Sequence, residues 1–141
     1  MKLFATSVVV VLLLAACTSR DRGISEKLTA EFDASTSAPI DMAKIGPPGW
    51  EKLCVLGPYS TNEAAEQTLG FKWDVEHKSD VVTNDGINLL LFVKGHEVLA
   101  HSEHRRDKGD FLKLEPRCLT RTQATLVRQS NPGGWVQLVH K

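Results

Sequence analysis

The sequence lacks an excess of charge of either sign and most of the short motifs that mark enzymes. Its 141 residues include 17 Lys and Arg against 17 Asp and Glu, which excludes the strongly basic surface typical of nucleic-acid-binding domains. It contains no Gly-x-Ser-x-Gly, phosphate loop, dinucleotide fingerprint or Cys-x-x-Cys. It also has no internal repeat of about 20 to 50 residues, which excludes solenoids and propellers. We therefore expect no enzymatic activity, no cofactor and no nucleic-acid partner.

Aromatic residues are scarce, at 6%, whereas hydrophobic residues make up 42% and charged residues 24% of the chain. The latter two fractions are typical of a soluble globular protein and argue against a disordered chain, a coiled coil or a multi-span membrane protein. The length is sufficient for one hydrophobic core and short for two. The sequence therefore predicts a single folded domain.

An apolar segment without charge follows Lys2 near the amino terminus. It runs from Leu3 to Ala16, which is about 14 residues, whereas a membrane-spanning helix needs about 20. A positive charge followed by a short apolar run is typical of a secretory signal peptide, here residues 1–16. Two alternatives to a lipoprotein signal peptide remain: a plain signal peptide that is cleaved without lipidation, and a short amino-terminal anchor helix.

The end of this segment, Leu14-Ala15-Ala16-Cys17, resembles the lipobox of bacterial lipoproteins. The resemblance implies cleavage before Cys17, a thioether-linked diacylglycerol on its sulfur, and a further acyl chain such as palmitate on the new amino terminus. Such chains anchor a protein to a membrane leaflet, because each buried CH₂ contributes about 0.8 kcal/mol. Thr18 rather than Asp follows the cysteine, which in this family favours the outer membrane with the domain facing the periplasm. Display on the cell surface is the alternative location.

The chain has three cysteines, an odd number for an exported protein. If Cys17 is lipidated, Cys54 and Cys118 remain and can pair in the oxidising periplasm. Neither of them has a second Cys or a His at the spacing of a zinc site. The sequence therefore predicts a disulfide between Cys54 and Cys118, with two buried reduced thiols as the alternative.

Residues 17–48 are rich in Ser, Thr, Ala and Pro and poor in large apolar side chains. This composition predicts a flexible tether between the anchor and a domain that comprises residues 49–141. Ile24, Leu28 and Phe32 recur at every fourth position, so a short amphipathic helix around residues 25–32 is the alternative to a nascent helix in a linker.

The domain sequence predicts an α+β fold with an antiparallel sheet of about five to six short strands and one helix packed on one face. The helix is expected to begin at a capping box formed by Ser60 and Glu63 and to end at Gly70. The predicted strands are residues 52–56, 71–78, 87–93, 97–101, 124–129 and 135–140. The strand over residues 87–93 is nearly all apolar, so it should be central and buried on both faces.

A helix ending in Leu69-Gly70, followed by a strand with a Trp, an apolar strand with a Phe and a hairpin, is also similar to the small outer-membrane lipoproteins of the barrel-assembly machinery. This similarity covers about 40 residues of the chain. The strand before the helix and the carboxyl-terminal hairpin depart from that family's pattern. Because of these departures, the resemblance predicts no shared role.

The densest group of possible metal ligands is His96, His101 and His104 with Glu103. Imidazole and carboxylate groups suit zinc or copper. On a strand, however, His101 and Glu103 share one face while His104 points to the other, and no fourth ligand is evident. We therefore predict that these residues form the polar side of an edge strand, with metal binding as the less favoured alternative.

Three aromatic residues, Trp50, Tyr59 and Trp135, are candidate interaction residues, because amphipathic rings often anchor protein interfaces. Trp50 and Trp135 adjoin glycine-rich turns. Trp73 is expected to fill the core instead. Arg105 and Arg106 are candidates for contact with an anionic partner, such as a lipid A phosphate or a peptide carboxylate. The alternative is that they only solvate a loop.

These features together predict an outer-membrane lipoprotein whose periplasmic domain binds a protein or another envelope component without catalysis. The anchor supplies the contact with the membrane, and an envelope protein is the expected partner. The first alternative is an inhibitor or immunity-type lipoprotein that blocks an enzyme or a phage factor. The second is a periplasmic metal-binding domain.

Overall fold

The structure is a computed structural model that describes residues 20–141. The predicted signal peptide, the lipobox and Cys17 lie outside the described residues. The described helices are α1 (Arg22–Ala34), α2 (Asn62–Leu69) and α3 (Val75–Lys78). The described strands are β1 (Ile40–Asp41), β2 (Lys52–Leu56), β3 (Ile87–Lys94), β4 (Glu97–Arg105), β5 (Cys118–Thr120), β6 (Thr125–Gln129) and β7 (Gln137–His140).

The strands form two antiparallel sheets, one with the order β4-β3-β2-β5 and one with the order β1-β6-β7. The predicted α+β class is confirmed, but the expected single sheet is divided in two. The division arises because β6 pairs with β1, a strand from the segment that composition assigned to the tether, as well as with β7. The carboxyl-terminal hairpin therefore builds its own small sheet instead of extending the larger one.

The four-stranded sheet has a hydrophobic cluster on each face. One cluster joins it to α1 and to the three-stranded sheet, through residues that include Leu28, Phe92 and Leu126. The other joins it to α2 and α3, through residues that include Leu69, Val75 and Leu91. Because β3 contributes to both clusters, it is buried on both faces, as its apolar sequence predicts.

The segment predicted to be a tether differs most from expectation, because from Arg20 onward it belongs to the folded body. Asp21 caps α1 by accepting a hydrogen bond from the Gly23 amide, at 2.9 Å. Ile24 and Leu28 of α1 are buried in the core, and so is Ile40 of β1. The fourfold spacing of apolar residues therefore marks a true amphipathic helix, whose stability comes from tertiary packing rather than from intrinsic propensity.

Residues 71–78 were expected to form a strand, and that prediction is wrong. Asp74 caps the single turn of α3, with its carboxylate accepting from the backbone amide of His77 at 3.4 Å. Val75 is buried against the sheet from this turn. Alternation over so few residues fits a helical turn as well as a strand, and the local cap decides between them.

Two further boundaries differ from expectation. Thr61, not Ser60, caps α2, with its hydroxyl accepting from the Ala64 amide at 3.3 Å. The Ser60 hydroxyl instead donates to the Gly57 carbonyl at 2.7 Å. Gly70 ends the helix in the left-handed conformation, with φ of 81°, as predicted.

Residues 110–114, which follow the charged loop, form no strand. Asp110 makes only an isolated bridge with Gln137, and the chain then turns toward β5, which was not predicted. Cys118 of β5 lies opposite Cys54 of β2, and the two form the predicted disulfide bond.

Candidate functional site

The most exposed large apolar side chains include three on two adjacent segments of the chain. Leu112 is 47% exposed, Trp135 is 43% exposed and Val136 is 37% exposed. The segments adjoin because the Asp110 amide donates to the Val136 carbonyl at 2.9 Å and the Lys113 amide donates to the Gln137 side chain at 3.2 Å. We call Trp135 and the adjacent Val136, together with Arg106 beneath the indole, the Trp135 surface.

Trp135 rests on a guanidinium group that is itself held rigidly. The Arg106 guanidinium carbon lies 4.8 Å from the centroid of the indole ring. Arg106 also donates to both carboxylate oxygens of Asp110, at 3.0 and 2.9 Å, and to the Asp85 carbonyl at 2.7 Å. A half-exposed aromatic ring on a fixed cation is typical of a preorganised interaction residue.

Asp110 is the centre of a buried polar network below this surface. Besides Arg106, its carboxylate accepts from the side-chain amides of Asn88 at 3.1 Å and Gln137 at 3.0 Å. Burial raises the pKa of Asp110, but the hydrogen bonds from Arg106, Gln137 and Asn88 outweigh it and hold that pKa below its usual range. The carboxylate is therefore ionised at neutral pH and serves to fix Arg106.

The predicted interaction residues differ in their exposure to solvent. Trp50 is 1% exposed and packs edge-to-face on Phe92 with ring centroids 5.2 Å apart, so its assignment to the surface is wrong. Gly46 permits this packing, because a Cβ on it would lie 2.3 Å from the indole nitrogen. Tyr59 is exposed, as expected of an interaction residue. Trp135 is exposed as well, as described above.

The two arginines also differ from each other. The side chain of Arg106 is only 16% exposed and its charge is paired with Asp110, so it is not free for an anionic partner. Arg105 remains 69% exposed, although it forms an ion pair with Asp107. Only Arg105 therefore keeps the exposure that contact with an anion requires.

The three histidines predicted as low-priority metal ligands do not converge. His96 is exposed and stacks on Phe71 with centroids 5.5 Å apart, whereas His101 and His104 are buried on opposite faces of β4. Within residues 20–141, no group of three or more His, Cys, Asp or Glu side chains is placed to hold a metal ion. The predicted separation of His101 from His104 by strand alternation is confirmed.

His101 lies on the face covered by α2 and α3. Its ring meets that of Trp73 edge-to-face, with centroids 5.3 Å apart, and its Nδ1 is buried without a hydrogen-bond partner among the described residues. Burial and, to a smaller extent, the charge of Arg20 lower the pKa of His101. It is therefore a neutral residue packed under Trp73.

A pair that sequence patterns did not reveal is formed by Ser25 and His104. The Ser25 hydroxyl lies 2.9 Å from Nδ1 of His104, and Nε2 of the same ring lies 3.0 Å from the Lys108 carbonyl. A carbonyl can only accept, so Nε2 carries the proton, Nδ1 accepts, and Ser25 donates. No sequence motif marks this pair, because its members are 79 positions apart.

Burial decides what the Ser25–His104 pair can do. It lowers the pKa of His104 to about 4, which means that the imidazolium form is strongly disfavoured in the fold. The neutral imidazole accepts from Ser25 of α1, and the pair thereby holds α1 on β4.

No helix in the described part of the chain combines the length and the apolar character needed to cross a bilayer. No protein-family model, curated protein or solved structure matches this chain.

Proposed function

We propose that the chain is a bacterial lipoprotein, anchored to the outer membrane through Cys17, whose domain binds a protein of the cell envelope without catalysis. The observation that carries the binding role is the Trp135 surface. An exposed Trp, followed in the chain by an exposed Val and supported by an Arg, has the composition of the central residues of protein interfaces. The anchor is supported by the resemblance of Leu14-Ala15-Ala16-Cys17 to a lipobox.

Rigidity distinguishes this surface from scattered exposed apolar residues. Single exposed side chains are normal on a soluble protein, but here two chain segments are tied together by Asp110 and Gln137. A partner that covers Trp135 therefore loses little conformational entropy from this side of the interface.

The binding role is tested by quantitative capture from solubilised envelope, with the lipidated protein purified from cells as bait. We expect Trp135→Ala to lower capture of the partner at least about tenfold, since central interface residues contribute 2 kcal/mol or more. Trp135→Phe keeps a ring over Arg106 and should retain most of the capture. His96→Ala, which removes an exposed ring beyond the other end of β4, is the matched control and should have no effect.

The identity of the captured protein separates the proposal from its main alternative. A barrel protein or an assembly factor supports the envelope role, whereas a hydrolase or a phage protein supports an inhibitor or immunity function. Equal capture by the wild type and by Trp135→Ala contradicts the assignment of the surface.

The anchor is tested independently by Cys17→Ala. The variant should accumulate as an uncleaved precursor that takes up no labelled fatty acid, whereas the wild type is labelled. Continued labelling of Cys17→Ala contradicts the lipobox interpretation.

A further inference from the structure

The first described residue, Arg20, is fixed to the edge of the four-stranded sheet. It forms a parallel bridge with His101 of β4, and the adjacent Asp21 amide donates to the His101 carbonyl at 2.8 Å. The Arg20 guanidinium also donates to the carboxylates of Glu103 and Asp80. Because α1 follows immediately, the chain has no slack between Arg20 and the folded body.

The distance from Arg20 to the proposed anchor is therefore short. Only Thr18 and Ser19 separate Arg20 from Cys17. An extended chain spans at most about 3.6 Å per residue, so the Cα atoms of Cys17 and Arg20 lie within about 11 Å of each other. The headgroup region of one leaflet is about 5 to 7 Å deep. A lipid on Cys17 thus holds Arg20 inside the headgroup region or just above it.

The surface around Arg20 is a shallow groove between α1 and β4. Its lining includes three arginines and two carboxylates, from Arg20, Arg22, Glu26, Glu103 and Arg105. The Glu103 carboxylate is already hydrogen-bonded within the protein. It accepts hydrogen bonds from the Arg20 guanidinium, from the Ser79 hydroxyl at 2.9 Å and from the Asp80 amide at 2.7 Å. Arg22 and Arg105 are exposed, and Glu26, one turn after Arg22 on α1, is an exposed carboxylate of the same groove.

Arg105 keeps donors for a further ligand. Its contact with Asp107 uses Nε and Nη2, whereas a guanidinium group has five N–H donors. Guanidinium groups bind phosphate oxygens in a bidentate manner, and a carboxylate beside them suits an ammonium group. The exposed charges of the groove therefore match the phosphate and the ammonium of a zwitterionic phospholipid headgroup.

We propose that this groove faces the membrane and that Arg22 and Arg105 bind phospholipid phosphates of the leaflet that holds Cys17. This inference rests on the proposed lipidation of Cys17. The folded body lies against the headgroups and does not move on a long tether.

The orientation is tested on the full lipidated protein, reconstituted in vesicles of phosphatidylethanolamine and phosphatidylglycerol that carry a gadolinium-chelating lipid. A nitroxide is attached at Glu26→Cys in the groove or at Thr122→Cys beside β5, the opposite edge of the sheet. Three strand spacings, about 14 Å, separate the two edges. We expect the relaxation enhancement to be several-fold greater at position 26 than at position 122. Equal enhancement, or a greater one at position 122, overturns the proposed orientation.

The arginine contacts are tested by lengthening the connection to the anchor. A flexible insert of about twelve Gly and Ser residues after Thr18 allows the body to move about 20 Å from the lipid. If Arg22 and Arg105 bind headgroups, position 26 stays the more strongly relaxed, and Arg22→Glu with Arg105→Glu abolishes the difference. Lys44→Glu, an exposed lysine outside the groove, should leave it unchanged. Loss of the difference in the insert variant itself overturns the headgroup contacts.

Failure of this inference is distinguishable from failure of the proposed function. The mass of the amino-terminal peptide is measured on the same protein sample. An unmodified Cys17 overturns the proposed function and this inference with it, whereas a lipidated Cys17 without the expected asymmetry overturns only the inference.

Discussion

The four-stranded sheet is joined to its two covering layers in different ways. On the face covered by α2 and α3, the core is mostly apolar and includes the cysteines of the disulfide. On the face covered by α1 and the three-stranded sheet, the core also encloses hydrogen-bonded polar side chains, which are Asn88, Ser102, His104, Asp110 and Gln137. Apolar packing is not directional, whereas a buried polar network destabilises the fold strongly when one member is removed. Apart from the disulfide, the α2 face should therefore tolerate substitution better.

The largest effect on stability should come from the covalent bond on the α2 face. Replacing Cys54 and Cys118 together with Ala removes a cross-link between residues 64 positions apart. The chain-entropy estimate is a loss on the order of 4 kcal/mol in the free energy of unfolding. Urea denaturation should show this loss under oxidising conditions, and the wild type in reductant should match the variant. A variant that unfolds at the same urea concentration as the oxidised wild type contradicts the prediction.

On the α1 face, Asp110→Ala should have the largest effect of any single substitution in the polar network. It leaves the Arg106 guanidinium, which is only 16% exposed, without its carboxylate, and it removes the acceptor of Asn88 and Gln137. Breaking a buried ion pair from one side costs about 3 kcal/mol or more. Asp107→Ala is the matched control, because it breaks an exposed pair with Arg105 that contributes at most about 1 kcal/mol. Equal losses for the two variants would remove the distinction between the network and the surface.

The third prediction concerns pH, through His104 on the same face. Its pKa in the fold is about 4, below the ordinary 6.5, because burial disfavours the charged form. The unfolded chain therefore binds a proton that the folded protein does not, and stability present above about pH 6.5 is lost as the pH falls toward 4. Between pH 7 and 5 the loss from this residue is about 2 kcal/mol.

His104→Gln removes this titration and serves as the comparison. Between pH 7 and 5, the unfolding free energy of the variant should fall by about 2 kcal/mol less than that of the wild type. His101 adds a loss in the same direction in both proteins, since its pKa is also lowered. Identical pH dependence in the two proteins would mean that His104 is not held neutral by burial.

The same contrast between the faces explains how much of the fold the sequence predicts. β3 and the Cys54–Cys118 pairing follow from local signals, namely an unbroken apolar run and the count of cysteines. The role of α1 does not follow from a local signal. Its pattern of apolar residues at every fourth position is short, and its stability depends on contacts with distant strands. The hydrogen bond between Ser25 and His104 joins residues 79 positions apart.

The candidate site could likewise be predicted only in part from local sequence patterns. Trp135 was predicted as an interaction residue because it adjoins a glycine-rich turn, and its exposure agrees. Trp50 adjoins a similar turn but is buried, since Gly46 leaves room for its indole in the core. Arg106 and Asp110 lie four residues apart outside any α-helix, and their partners Asn88 and Gln137 come from β3 and β7. Tertiary contacts, which no local pattern encodes, decide which aromatic ring reaches the surface.

The smallest predicted effect lies on the tolerant α2 face. Thr61→Ala removes the hydroxyl that accepts from the Ala64 amide, and loss of such a cap costs about 1 kcal/mol. Thr61→Ser keeps the acceptor and should unfold at nearly the same urea concentration as the wild type. α2 is short and buries only Ala65 and Leu69 fully, so a frayed first turn exposes little of the core. If Thr61→Ala destabilises the protein as much as Asp110→Ala does, α2 is coupled to the core as strongly as the polar network, and the two faces do not differ in tolerance.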